Sequence, residues 1–166
     1  MCRRFGNTSG FQQPTNEIGI LQPPENDSMR KLLAFMTILW LAVLFRLTVF
    51  RNGCFSNGFF SGRVEWDAFA NYLRLARSGN WWNFSYLFFG NLIWFFPVGI
   101  LIKLRGGRLR RAVLAGFLLS LGIETAQFAL GSGISELDDL ILNTLGALMG
   151  YLGTSLFLAR FSKRTQ

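Results

Sequence analysis

Apolar residues along the chain gather into four long runs, Leu32 to Phe50, Phe84 to Ile102, Ala112 to Leu130 and Asp139 to Phe157. Each spans about 19 residues, enough at ~1.5 Å per residue to cross ~30 Å of hydrocarbon. Between the first two runs, Trp66, Phe69, Ala70, Leu73 and Ala76 recur at helical spacing, with Asp67, Asn71, Arg74 and Ser78 opposite. That pattern predicts a short amphipathic helix suited to lying in a membrane interface. Trp81 and Trp82 follow as an aromatic anchor before the second run. The predicted fold is all-α: an integral membrane helical bundle of four transmembrane helices plus one short interfacial amphipathic helix.

Residues 1–28 are polar, rich in Asn, Gln, Gly, Ser and Pro, and show neither helical nor strand period. They read as a disordered N-terminal extension, lying upstream of a start at Met29. Residues 29–160 form the transmembrane domain and 161–166 a basic cytoplasmic tail. A basic start followed by an apolar run also describes a signal peptide. Here the run is long, no small-x-small cleavage site follows it, and R-N-G-C at Arg51 to Cys54 lacks a lipoprotein site's apolar residue. The first run is therefore read as a retained helix.

Composition strengthens this picture. The 166 residues are 51% hydrophobic and 16% charged, well under the ~25% charge usual in soluble domains. A net charge of +8 raises the question of nucleic acid. The basic residues instead sit at the ends of apolar runs, and no nucleic-acid motif is present, so no nucleic-acid partner is expected. Lys103 to Arg111 carries five basic residues in nine and no acid. With both termini and that connector inside, ten Lys and Arg after residue 28 fall inside and four outside, so N-in and C-in orientation is expected. The acids Glu65, Asp67, Glu124, Glu136, Asp138 and Asp139 then all lie toward the outer side. No histidine is present, and Cys2 and Cys54 match no ligand spacing, so neither a metal site nor a cofactor is expected.

Polar groups inside the runs are the candidate chemistry. Ser120, Glu124 and Gln127 share one helix face, as do Asp139, Asn143, Gly146 and Gly150. Arg46, Asn91, Glu124 and Asn143 fall at similar depth, roughly 6 to 11 Å below the outer boundary. An intramembrane carboxylate is a functional-site hypothesis that needs a partner. Arg46 facing Glu124, with Asn91, Gln127 and Asn143 completing the hydrogen bonds, would supply one and form a binding pocket. The structural alternative is a buried ion pair, or Arg46 snorkelling to the headgroups. Gly146 and Gly150, with Gly99 near the kinking Pro97, read as helix-packing positions, and Gly116 with Ser120 does the same on the third run. Glu136, Asp138 and Asp139 are either the acidic first turn of the fourth helix with Ser135 as N-cap, or a cluster suited to a divalent cation, a cationic ligand group or proton exchange.

N-L-I-W-F-F-P-V-G from Asn91, E-T-A-Q from Glu124 and S-E-L-D-D-L-I-L-N-T-L-G-A-L-M-G from Ser135 together resemble the VanZ-like family of bacterial membrane proteins. The likeness spans roughly residues 29 to 158. The motif residues are Asn91, Pro97, Gly99, Glu124, Gln127, Asp138, Asp139, Asn143, Gly146 and Gly150. Where members commonly carry N-L-I-P-F after the first helix, this chain has E-W-D-A-F at Glu65 to Phe69. The resemblance implies a multi-pass protein of the bacterial cytoplasmic membrane, in a family whose founding member is associated with resistance to the glycopeptide teicoplanin. The expected function is an accessory or binding role in the cell envelope. The outward pocket would comprise Arg46, Asn91, Glu124, Gln127, Asp138, Asp139 and Asn143. Its partners would be membrane lipids and a lipid-linked cell-wall precursor or a glycopeptide. The alternative is an intramembrane enzyme on an envelope lipid, with Glu124 or Asp139 as general base and Arg46 holding a phosphate or carboxylate. A third reading, an ion or proton carrier, lacks an inverted repeat.

Overall fold

The computed structural model describes residues 27–50 and 58–162. The expected extension lies, up to residue 26, outside the described residues, as do the 51–57 segment and the tail beyond 162. The element order is α1 (Asp27–Thr48), β1 (Arg63–Glu65), α2 (Ala70–Arg77), α3 (Trp81–Leu104), α4 (Leu109–Leu130), β2 (Ile134–Glu136) and α5 (Leu137–Ser162). α1 begins at Asp27, two residues before the expected boundary, and Lys31 pairs with Asp27 across its first turn.

α1, α3, α4 and α5 are long and apolar enough to cross a membrane. Their exterior is apolar, with Leu118 and Leu121 on α4 and Leu145, Leu152 and Leu156 on α5 exposed. That arrangement suits a lipid surround rather than water. The chain is a multi-pass membrane protein built as an all-α bundle.

The bundle is centred on α5, which packs against α3 along most of its length and against α4 on another side. Glycine makes the α3–α5 approach close enough. A β-carbon added at Gly146 would lie 2.3 Å from the Leu92 carbonyl oxygen, and one at Gly150 would lie 2.2 Å from that of Phe96. From the other side, a β-carbon at Gly99 would meet the Ala147 oxygen at 2.0 Å. Gly116 of α4 lies likewise against the Ala147 side chain. Small residues at facing positions let backbones touch where the surrounding lipid offers no hydrophobic drive to associate. α3 runs through Pro97 as a single helix.

α1 is peripheral and meets the bundle near its C-terminus, where Leu44 and Val49 are buried with Phe95, Val98, Ile123 and Ala147. A second cluster of Tyr72, Leu92 and Leu142 ties α2 onto α3 and α5. α2 starts at Ala70, so Trp66 and Phe69 of the expected apolar stripe precede the helix. Leu73 and Trp66 are exposed, and Tyr72 is the residue the helix buries. Its ring packs edge-on against Phe84 and Phe88, so α2 is held to α3 through Tyr72 while Leu73 stays on the outer face.

The β1–β2 pair was not expected from the sequence. The two strands run parallel, with Val64 opposite Ser135. The chain ahead of β1 crosses the C-terminus of α4, where the N–H groups of Phe60 and Gly62 bond the carbonyls of Ala129 and Phe128 at 3.0 and 3.3 Å. These lie in the last turn of α4, where the Ala129 carbonyl lacks a helical partner and the Phe128 carbonyl also takes the Gly131 N–H. Gly131 closes α4 in the left-handed region at φ 56°. A β-carbon on Gly62 would lie 2.5 Å from the Phe128 Cα, so only glycine permits the crossing. The strand pair forms a cap over one end of the bundle.

A candidate ligand site beneath the strand cap

Glu124 lies in the last two turns of α4 and is 8% exposed. Its carboxylate accepts the Glu136 N–H at 3.0 Å, and its backbone carbonyl accepts the Ser135 hydroxyl at 2.8 Å. The turn leaving α4 thus folds back and holds both polar parts of the same residue. Ser135 is therefore a tie between β2 and α4 rather than the N-cap of α5, which starts at Leu137.

Asp138 is 3% exposed, and its carboxylate accepts the backbone N–H of Phe69. Phe69 has φ 62°, an uncommon region for a bulky residue. The Asp138 carboxylate helps hold that turn at the head of α2. Asn91 of α3 donates through Nδ2 to Asp139 and to the Tyr72 hydroxyl. Burial, with the Asp139 and Asp138 charges nearby, pushes the Tyr72 phenol above its ordinary value, which keeps it protonated. Deeper in the bundle, Asn143 donates to the fully buried Ser120 hydroxyl at 2.9 Å. Gln127 donates to the Thr48 carbonyl at 3.3 Å and so ties α4 to α1. The Asn143 Oδ1 and Gln127 Oε1 atoms are buried and take no donor among the described residues.

The polar groups of α3, α4 and α5 therefore sit toward one end, although not in one pocket. They form three linked contacts around the first turns of α5: Glu124 with β2, Asn91 with Asp139 and Tyr72, and Asn143 with Ser120. Arg46 does not join them. It is exposed and donates to the Phe50 carbonyl at 3.0 Å, not to Glu124. Phe50 lies four residues beyond Arg46, just past the end of α1, and a guanidinium reaches its carbonyl without crossing the bundle. Glu124 instead meets its donor in the backbone, and has the charges of Asp139, Glu136 and Asp138 nearby. Among the described residues, no three His, Cys, Asp or Glu side chains are arranged to hold a metal ion.

Beside Glu124, a groove of about 240 Å³ opens between α4 and α5 under the strand cap. Leu121, Phe128, Leu137 and Leu140 supply most of its wall and Val64 and Trp66 roof it; Glu65, Glu124 and Glu136 border it, but its exposed lining is almost wholly apolar. Sequence reasoning missed the groove, Tyr72 and the roles of Ser135 and Glu136. The strands that create it are three residues long, too short for an alternating pattern to register. The only available hints were the I-S-E and R-V-E triplets.

A family model described as VanZ/LLP1 matches residues 32–158 of the chain, from α1 to near the end of α5. No curated protein and no solved structure matches it.

Proposed function

The chain belongs to the VanZ/LLP1 family, and we propose that it is a bacterial cell-envelope protein with an accessory binding role, resembling teicoplanin resistance. In this reading the capped end faces outward, with the N-terminus, the C-terminus and the basic Lys103 to Arg111 connector inside. The ligand would be an envelope component such as a lipid-linked wall precursor, or the glycopeptide itself. The carrying observation is that Glu124, a carboxylate in a membrane-spanning helix, is almost wholly buried beside an open apolar groove. A carboxylate placed so is expensive unless something uses it.

The neighbouring acids support binding over catalysis. Asp139 is engaged by Asn91 and Asp138 by the Phe69 N–H, which suits fixed positioning more than proton exchange. The decisive comparison is teicoplanin susceptibility of cells carrying the chain, its Glu124→Gln variant or neither, at matched membrane abundance. The reading expects protection that the variant loses. Equal susceptibility in all three would end it.

A further inference from the structure

We propose that a crevice between the end of β1 and α2 is a second binding site, one that seats a neutral saccharide; this goes beyond the reading above and does not depend on Glu124. The crevice has a volume of about 560 Å³. Glu65, Trp66 and Asp67 line it from the end of β1, and Asn71 and Arg74 line it from α2. Its exposed lining divides about evenly between polar and apolar atoms. A pyranose presents the same balance, with hydroxyls around its edge and C–H groups over its faces. Trp66 is 73% exposed, and the electron-rich face of an indole attracts C–H hydrogens. Glu65 and Asp67 supply acceptors for hydroxyl protons, while Arg74 supplies donors for hydroxyl oxygens.

The walls are held by the fold. Glu65 is paired with Glu136 in the strand ladder, the Phe69 N–H bonds the Asp138 carboxylate, and Tyr72 anchors α2 in the second core cluster. The turn between them is closed by the Ala68 N–H on the Trp66 carbonyl at 3.0 Å and the Ala70 N–H on that of Asp67 at 3.1 Å. The polar side chains are nonetheless unspent. Arg74 gives one of its five N–H donors to the Asn71 Oδ1 at 2.9 Å. Among the described residues, the Glu65 and Asp67 carboxylates take no hydrogen bond and no ion pair. Open donors and acceptors on a fixed backbone lower the ordering cost of binding. Charge narrows the class of ligand. Two carboxylates beside one guanidinium turn away a phosphate, and Arg74 opposes a cation. A neutral polyol uses both kinds of group. At water's ~30 Å³ share, the volume holds roughly nineteen water-sized groups, room for one sugar ring with a substituent.

The test uses the full chain in lipid nanodiscs and saturation-transfer NMR. The probes are maltose and diacetylchitobiose, with glycerol phosphate as the anionic control. Saturation is expected to pass to the ring C–H protons of at least one sugar and not to glycerol phosphate. Trp66→Ala and Arg74→Ala should each cut the sugar signal at least fivefold. Both residues are exposed, so thermal midpoints should match the wild type. Trp82→Ala, at another exposed tryptophan outside the crevice, should leave the signal unchanged. Doping the nanodiscs with monoglucosyl diacylglycerol separates two sources of the sugar. Loss of the soluble-sugar signal identifies a glycolipid head, an unchanged signal identifies a free saccharide, and either result supports the site. No transfer to either sugar, transfer that survives both crevice variants, or equal transfer to glycerol phosphate would overturn the proposal. Absence of sugar binding in a protein whose Glu124→Gln variant loses glycopeptide protection sinks the crevice alone. Crevice-dependent sugar binding without any change in susceptibility sinks the accessory role alone.

Discussion

The Glu124 carboxylate accepts the Glu136 N–H across the turn between α4 and α5, at 3.0 Å. This one bond fixes β2 over the helix it has just left, and β2 in turn sets β1 above the groove. It also separates the geometry of Glu124 from its charge. An amide oxygen in Glu124→Gln still accepts the Glu136 N–H, so that variant should cost under about 1.5 kcal/mol. Glu124→Ala strands the N–H and should cost about 1 to 3 kcal/mol. Unfolding in detergent or mixed micelles ranks the two, and the reverse order would contradict the arrangement.

Close packing of α3 on α5 rests on glycine. Gly146→Leu and Gly150→Leu both drive side chains into the α3 backbone, and overpacking of this kind costs about 1 to 3 kcal/mol or more. Gly153 on the same helix has open space around it, so Gly153→Ala should be neutral or slightly stabilising. Thermal midpoints of the purified variants check the contrast.

Asp138 and Phe69 couple the head of α2 to α5. Asp138→Ala leaves the Phe69 N–H without its acceptor in a turn that already sits at positive φ. The loss should be about 1 to 3 kcal/mol, and it should appear locally. Hydrogen exchange is expected to speed up at residues 66–72 while α3 and the middle of α5 stay protected.

The Tyr72 phenol is pushed up from the ordinary value near 10 by burial. In the folded chain it keeps its proton at pH values where the unfolded chain has released it. Above pH ~10 the native state binds more protons, so stability falls as pH rises. Tyr72→Phe removes that term. The stability advantage of the wild type over Tyr72→Phe should therefore be constant below pH 9 and shrink between pH 10 and 11.

Much of the fold could be read from the sequence, because each long span announces itself through some nineteen apolar residues. Gly146 and Gly150 were legible for a similar reason: a four-residue spacing on an apolar helix means packing. Asn91, Glu124, Asp139 and Asn143 stood out because polar groups are costly at that depth. Their partners were not legible. Depth along a helix says nothing about rotation, so Arg46 looked available to Glu124 although it turns to Phe50. The donor that Glu124 does use is a backbone N–H, which no residue type advertises. Tyr72 was hidden by its neighbours, since its value lies in Asn91, nineteen residues away.

Glu124 is expected to serve a ligand rather than only the fold. The most direct measurement is the amount of teicoplanin retained on the surface of intact cells that express wild-type or Glu124→Gln protein. Matched membrane abundance and matched thermal midpoints secure the comparison. The wild type is expected to alter surface teicoplanin severalfold relative to cells lacking the chain, and Glu124→Gln to return it to that baseline. A variant that is folded, equally abundant and indistinguishable from the wild type would contradict it.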